Sequence, residues 1–216
     1  MLQLPQFFPL LDQLQTQYGD AHLSATYGVG CTVKPRLCLV FMNPTARTVS
    51  TALDWTGIRA CWLGTKNIWK LFHAVDLISS VDFQQTQSLK ATAWTPDFAQ
   101  HLYQSIAEQG VYVTSLGKCS QVDARPLPDS VFRAYLDQTY AEIVALQPEV
   151  IVTFGNQVSS VLLQKKISVS KYVATAHETL VVQDQPFQVY PTYYPVGLGM
   201  RNIGKAIDRL RMIRSQ

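Results

Sequence analysis

The chain of 216 residues has no apolar run close to the roughly 20 residues that cross a bilayer, so we expect no membrane span. Its first residues lack the basic segment and the small-residue cleavage site of a secretory signal, which favours a cytoplasmic protein. The cysteines show neither CxxC spacing nor a secreted context, and we expect free or buried thiols at Cys31, Cys38, Cys61 and Cys119. The histidines show no metal-ligand spacing either. We therefore expect no metal and no cofactor.

The composition is that of a globular protein with a modest positive charge. Hydrophobic residues make up 47% of the chain, enough to bury a sizeable core, and we expect a single domain over residues 1–216. The formal net charge of +3 permits a polyanionic partner without requiring one. We find no internal repeat, low-complexity tract or long linker, and we expect a monomer.

Short apolar runs alternate along the chain with segments of helical periodicity. The runs predict buried strands at Leu37–Met42, Val111–Ser115, Val150–Phe154 and Phe187–Tyr190, with a hairpin arm at Val181–Val182. The periodic segments predict helices over about 6–17, from near 65, and over 96–109, 129–146, 156–165 and 202–214. This alternation is typical of an α/β fold, a three-layer sandwich whose central, mostly parallel sheet we expect to have four strands.

The first of these strands ends in an informative way, because a polar amide and a proline stop it. Pro44 cannot donate a hydrogen bond to a neighbouring strand and restrains the residue before it, so the strand must end at Asn43. In an open α/β sheet, ligands bind at the carboxyl ends of the strands. The Asn43 carboxamide is therefore expected at the mouth of a crevice. The alternative is an Asn-Pro turn without chemistry.

Segments in a fixed order carry a resemblance to a known family. Phe41-Met-Asn-Pro44 is similar to GINPG or GMNPG, and Cys61–Trp69 to a loop and helix with Pro-Phe-x-Gly and Asn-x-Phe-Trp-Lys. Val113–Cys119 and Gln147–Gly155 are similar to Thr-Asn-Val-Val-Lys-Cys and Arg-Pro-Lys-Val-Ile-Val-Ala-Leu-Gly. Pro191-Thr-Tyr-Tyr-Pro195, followed by Arg201 and Asn202, matches Pro-Thr-Tyr-His-Pro and a later Arg-Asn. Together, from about Pro35 to Met212, the chain resembles the uracil-DNA glycosylase superfamily.

The resemblance implies hydrolysis of the N-glycosidic bond of a damaged base, such as uracil or another deaminated base, in DNA repair. Such a base is flipped from a duplex or single strand of DNA into a pocket. Asn43 stands where the family orients the attacking water, and Tyr194 replaces a histidine that donates to the departing base. Met42 lies beside Asn43 in the first motif, as a base contact. Ser115 stands where pyrimidine-reading classes carry Asn.

The resemblance also implies which side chains hold the flipped base and the DNA around it. Trp62 takes the place of the aromatic residue that stacks on the base; Trp55 is the competing candidate. Leu198 and Met200 stand in a loop that inserts an apolar wedge into the base stack, although an ordinary hydrophobic anchor is the alternative. Arg201 is expected to meet a backbone phosphate, and Lys66 is expected to contact DNA.

The chain departs from the family pattern at several of these positions. Ser115 cannot match a base edge bidentately as an amide can, and Tyr194 is longer than the histidine it replaces. Thr45 stands where glycine lets the backbone approach the substrate closely. These departures keep a second function open, that of a catalytically weak or inactive member that binds a nucleobase, nucleotide or nucleic acid. Cys119 matches one iron–sulfur ligand position, but Tyr135 stands where a second cysteine is needed, so no cluster is expected.

Overall fold

A single mixed sheet forms the centre of the computed structural model, which describes residues 1–173 and 175–215. Residues 174 and 216 of the expected domain lie outside that description. In the described residues the sheet has six strands: β1 (Val29–Gly30), β2 (Leu37–Phe41), β3 (Val111–Ser115), β4 (Val150–Phe154), β5 (Glu178–Val182) and β6 (Gln185–Thr192). Their spatial order is β1-β3-β2-β4-β6-β5. The pairs β3–β2, β2–β4 and β4–β6 are parallel, and the edge strands β1 and β5 pair antiparallel. The α/β class is confirmed, whereas the sheet has six strands rather than the expected four.

The helices follow the strands and cover the sheet. They are α1 (Phe8–Tyr18), α2 (Asn67–Ala74), α3 (Ser80–Ser88), α4 (Pro96–Glu108), α5 (Asp129–Arg133), α6 (Leu136–Leu146), α7 (Asn156–Leu162) and α8 (Ile203–Arg214). Short 3₁₀ turns include Val49–Thr51 and Gly197–Asn202. Within residues 1–173 and 175–215, no helix is both long and apolar enough to cross a membrane.

Two of these helices differ from the sequence-based expectation. The segment 129–146, expected as one helix, is divided into α5 and α6 at Ala134 and Tyr135. The break allows Tyr135 to be fully buried in a cluster with Leu11 and Cys119. The helix α3 was not expected at all; the Ser79 hydroxyl caps it by accepting a hydrogen bond from the backbone N–H of Asp82 at 3.0 Å.

The strand β2 is buried on both faces, which explains its unbroken apolar sequence. Leu37, Leu39 and Phe41 point into a core shared with α2, α4 and α8. The residues between them, Cys38 and Val40, lie on the other face of the sheet in a second core with α6, α7, β5 and β6. At the carboxyl end, the ring of Phe41 stacks on that of Phe154 in β4, with centroids 4.2 Å apart. The stacked rings thus join the carboxyl ends of β2 and β4.

A buried ion pair lies behind the carboxyl end of β3. Lys118 Nζ is 3.0 Å from Glu142 Oε2, and their side chains are only 1% and 3% exposed. Lys118 Nζ also donates to the Ser115 carbonyl at 2.9 Å. Burial raises the pKa of Glu142, and the nearby Lys118 charge opposes that rise. The pair therefore ties α6 to the loop that leaves β3.

We expect Lys118→Met to lower the free energy of unfolding by about 3–5 kcal/mol, because the substitution strands the Glu142 carboxylate in the core. The double variant Lys118→Met/Glu142→Leu should lose much less than the sum of the single changes. Urea denaturation measures all three values. Arg125→Met is the control, since Arg125 pairs with Asp123 in solvent and should change stability by less than about 1 kcal/mol. A loss just as small for Lys118→Met would contradict the structural role of the buried pair.

Candidate functional site

The chain leaves the sheet where β2 ends. The carbonyl of Phe41 still accepts a hydrogen bond from the N–H of Leu116 at 2.8 Å, and that of Met42 from Gly117 at 2.9 Å. Pro44 has no N–H to continue the pairing. A Cβ on Gly117 would lie 3.5 Å from Asn43 Cβ and 3.0 Å from the Phe132 ring, so glycine allows this close approach. Asn43 is thereby fixed at the carboxyl edge of the sheet.

A cavity of about 460 Å³ opens at this edge. Its walls come from the segments 42–48, 61–68 and 194–197, with Ala91, Ala124 and Arg125 at its margin. Its volume is in the range typical of small-molecule sites. Met42, Asn43, Trp62 and Tyr194 all line it. With Lys66, which also lines it, the structure brings five of the sequence-predicted site residues around one space.

The Asn43 side chain has a defined orientation. Its Nδ2 donates to the Pro44 carbonyl oxygen at 3.1 Å. This bond directs the amide nitrogen toward the backbone and leaves Oδ1 without a hydrogen bond to the described residues. A free amide oxygen can accept a hydrogen bond from water, but the amide has no useful protonation equilibrium and cannot act as a general base.

Trp62 is half-buried in the cavity wall and is held by its own turn. Its φ of +74° is in the left-handed region, and its carbonyl accepts hydrogen bonds from the N–H and the hydroxyl of Thr65 at 3.0 and 2.6 Å. Its indole meets the Phe41 ring edge-on, with centroids 5.1 Å apart. Trp55 is not part of the wall, and its Nε1 donates to the Ile58 carbonyl. Of the two tryptophans, Trp62 alone lines the cavity.

Tyr194 approaches the cavity from the loop after β6. A Cβ on Gly155 would lie 3.5 Å from Tyr194 Cβ, and one on Gly199 would lie only 2.0 Å from the Tyr194 carbonyl oxygen. Burial, reinforced by the neighbouring Cys61, raises the pKa of the Tyr194 phenol well above its ordinary value. The hydroxyl makes no hydrogen bond to the described residues. Tyr194 is thus a neutral phenol whose hydroxyl is able to donate a hydrogen bond into the cavity.

Cys61 also lines the cavity but is not a nucleophile. It is 2% exposed, and burial raises the pKa of its thiol to about 12. Its carbonyl accepts a hydrogen bond from the Tyr103 hydroxyl. A protonated thiol contributes shape and weak polarity to the wall.

Ser115, which the resemblance implies as a base contact, lies outside the cavity wall. It is 3% exposed and pairs in register with Phe41, which places it below the level of Asn43. Its side chain interacts with the Cys61 thiol, which does line the cavity. Ser115 therefore reaches the cavity only through Cys61.

The expected DNA-contacting residues lie around the rim. Leu198 is 96% exposed on the 3₁₀ turn Gly197–Asn202, Met200 is half-buried and Arg201 is exposed. None of these three lines the cavity, although Gly197 at the start of the turn does. Lys66 lines the cavity, and its Nζ donates to the Gln87 carbonyl at 2.5 Å.

Sequence reasoning overlooked two arginines in the wall, Arg47 and Arg125. Both lie in irregular loops, where neither helical nor strand periodicity marks a residue. The only signal was the place of Arg47 shortly after the Asn43-Pro44 motif. Across residues 1–173 and 175–215, no group of three or more His, Cys, Asp or Glu side chains is arranged to hold a metal ion.

The fold and the cavity define an α/β protein with a polar amide and aromatic side chains around a pocket at the carboxyl edge of a mixed sheet. Residues 27–212 match the family model of the uracil DNA glycosylase superfamily. Since this match covers most of the chain, the protein belongs to that superfamily. A comparison with curated proteins finds no match.

We expect Gly199→Ala to lower the free energy of unfolding by about 1–3 kcal/mol, because the new methyl group would overlap the Tyr194 carbonyl and force the loop to move. Gly204→Ala is the matched control. A Cβ at Gly204 would meet nothing within 4 Å. Because Gly204 lies in α8, alanine there should raise the free energy of unfolding by at most about 1 kcal/mol. Thermal denaturation compares the two variants. Equal effects of the two substitutions would show that the Tyr194 loop does not need its glycine.

Proposed function

We propose that the protein is a monofunctional DNA N-glycosylase, a hydrolase that cleaves the N-glycosidic bond of a damaged base such as uracil or another deaminated base. One observation carries the proposal: Asn43, Trp62 and Tyr194 line a single cavity of about 460 Å³. The sugar carbon of a base is shielded inside a helix, so the target nucleotide must be extruded from duplex or single-stranded DNA. Family membership supports this activity class.

Asn43 orients the attacking water. Its Nδ2 is engaged by Pro44, so its free Oδ1 accepts a hydrogen bond from the water and directs a lone pair toward the sugar carbon. Because the amide cannot take up the proton, it positions the water without activating it. The N-glycosidic bond therefore breaks before, or further than, the bond to the attacking water forms, and positive charge develops on the sugar.

The departing base carries the matching negative charge, and Tyr194 stabilises that charge with a hydrogen bond. The buried phenol stays protonated and donates to an oxygen of the base where that charge develops. Trp62 stacks on the base, an interaction worth about 1–3 kcal/mol that does not depend on base identity. Met42 contributes to the wall beside Asn43.

The exposed turn Gly197–Asn202 supports the flipped state. Leu198 is almost fully solvent-exposed, which is costly for an apolar side chain without a partner but suits a wedge between bases. Met200 follows it in the same turn, and Arg201 meets a backbone phosphate. Lys66 contacts the DNA from the opposite wall segment.

A second candidate, a binding protein for a nucleobase, nucleotide or nucleic acid without turnover, is favoured by specific observations. Thr45 places a side chain in the wall where the family motif has glycine. Ser115 is withdrawn from the wall, and a phenol stands in place of the family's histidine. Each change affects the base pocket without closing it.

Activity on DNA separates these candidates. Labelled oligonucleotides that contain uracil, a thymine mismatch, hypoxanthine or xanthine are incubated with the protein and then treated with alkali, which cuts abasic sites. We expect strand cleavage for at least one substrate. Asn43→Ala should reduce the rate of base excision at least tenfold with DNA affinity unchanged, because no side chain then orients the attacking water. Tight base binding by calorimetry with no cleavage of any substrate would instead support the binding protein.

The dependence of the rate on pH offers a sharper test. Asn43 does not titrate, and burial keeps Tyr194 protonated, so the wild-type rate should show no fall from these groups between about pH 5 and pH 10. Asn43→Asp introduces a carboxylate that can act as a general base, and the rate should rise by about 10²–10⁴ at neutral pH. Because only the ionised carboxylate is active, that gain should disappear as the pH falls through the pKa of the aspartate. A rate of Asn43→Asp that stays at or below the wild-type rate at every pH would contradict the role given to Asn43.

A further inference from the structure

Three cationic side chains surround the mouth of the cavity. Arg47, Lys66 and Arg125 all line it, and all three are solvent-exposed. No aspartate or glutamate is among the residues of the cavity wall. The rim is therefore positively charged, whereas the interior offers neutral groups such as the Asn43 amide and the Tyr194 phenol.

The three cations come from different loops that are joined to one another. The loop of Arg47 is tied to the loop of Arg125 by two backbone hydrogen bonds, Ala46 N–H to Gln121 O at 2.8 Å and Gln121 N–H to Pro44 O at 3.2 Å. Toward Lys66, the Val49 N–H donates to the Leu63 carbonyl at 2.9 Å. The cations are thus held around the mouth by the backbone.

Gly64 allows the loops of Arg47 and Lys66 to pack closely. It has a φ of +82°, and a Cβ there would lie 2.4 Å from a methyl group of Val49 and 3.4 Å from the Arg47 carbonyl. This arrangement brings like charges to one rim. Concentrating like charges is unfavourable unless an anion binds between them.

Within the protein these charges have few strong partners. Arg47 makes no ion pair and no side-chain hydrogen bond within the described residues. Arg125 pairs with Asp123 at 2.9 Å, but the two side chains are 82% and 52% exposed, and such pairs contribute little. Lys66 donates only to the Gln87 carbonyl. All three side chains can therefore reorient toward a bound anion with only a small loss of free energy from their present contacts.

We propose that Arg47, Lys66 and Arg125 bind the DNA phosphates on either side of the extruded nucleotide. This inference rests on the proposed function, and it adds Arg47 and Arg125 to the DNA contacts expected from the sequence. A base inside the cavity remains covalently joined to its sugar and backbone, so the flanking phosphates must lie at the mouth. The cations at the rim neutralise those phosphates and hold the nucleotide in its extruded position.

The salt dependence of DNA affinity tests the inference. Binding of a fluorescent oligonucleotide carrying 2′-fluoro-2′-deoxyuridine, which resists glycosidic cleavage, is measured by anisotropy over a range of salt concentrations. Each lost phosphate contact should reduce the slope of log affinity against log salt by about 0.7–0.9. We expect this reduction for Arg47→Gln and for Arg125→Gln. The control is Lys34→Gln, which removes an exposed charge just before β2, at the opposite edge of the sheet.

Neutral linkages locate the contacts. Methylphosphonates at the two positions flanking the target should weaken binding to the wild type more than binding to Arg47→Gln, because one of the contacts that they remove is already absent in the variant. Inorganic phosphate at equal ionic strength should displace the oligonucleotide no better than chloride. Displacement by phosphate alone at low concentration would show a site for free phosphate and would overturn the DNA assignment.

The outcomes separate this inference from the proposed function. Slopes unchanged from the control in both arginine variants would overturn the inference, even if the protein excises a base normally. If wild type cleaves no damaged base, reduced slopes on the same oligonucleotide still support the phosphate contacts. Circular dichroism of each variant shows whether the fold is intact, as expected for exposed side chains.

Discussion

The end of β2 at Asn43 and Pro44 is the constraint on which the rest of the site depends. β2 lies between two parallel neighbours, so its course decides where the middle of the sheet stops. Pro44 cannot donate into the sheet, and the chain must turn away just after Met42, whose carbonyl still accepts a hydrogen bond from Gly117 in the loop that follows β3. The departing loop and the neighbouring loops enclose the cavity at this end of the sheet rather than fill it.

The strands that are buried along almost their whole length could be predicted closely from the sequence. Val111–Ser115 and Val150–Phe154 have the predicted bounds, because a strand buried between two helical layers is mostly apolar without a clear alternation. β1 is only two residues long and has no such run. The helix α3 has few apolar residues and depends on its Ser79 cap, a local hydrogen bond that periodicity does not register. The break before α6 is set by the burial of Tyr135, which is a tertiary contact.

The residues of the candidate site could be predicted where a sequence motif places them near the end of a strand. Residues in irregular loops could not. Asn43, Trp62 and Tyr194 stand in recognisable motifs, and all three line the cavity. Ser115 also stands in a motif, but its strand register places it opposite Phe41 and below the rim. Arg47 and Arg125 are far apart in sequence and line one cavity because backbone hydrogen bonds join their loops. No pattern in a single sequence reports such a pairing.

The distribution of charge bears on the chemistry that the pocket can support. Lys118 is close enough to lower the pKa of Cys61 somewhat, yet Glu142 lies 3.0 Å from Lys118 and balances its charge. The ion pair therefore adds little net positive charge behind the interior, and in the proposed complex with DNA the phosphates neutralise the cations at the rim. Negative charge on a departing base must be stabilised by neutral donors such as Tyr194, which are weaker than charged ones. The burial that keeps this phenol protonated also limits what it can contribute, so the pocket should act best on a base whose anion is already stable when it leaves.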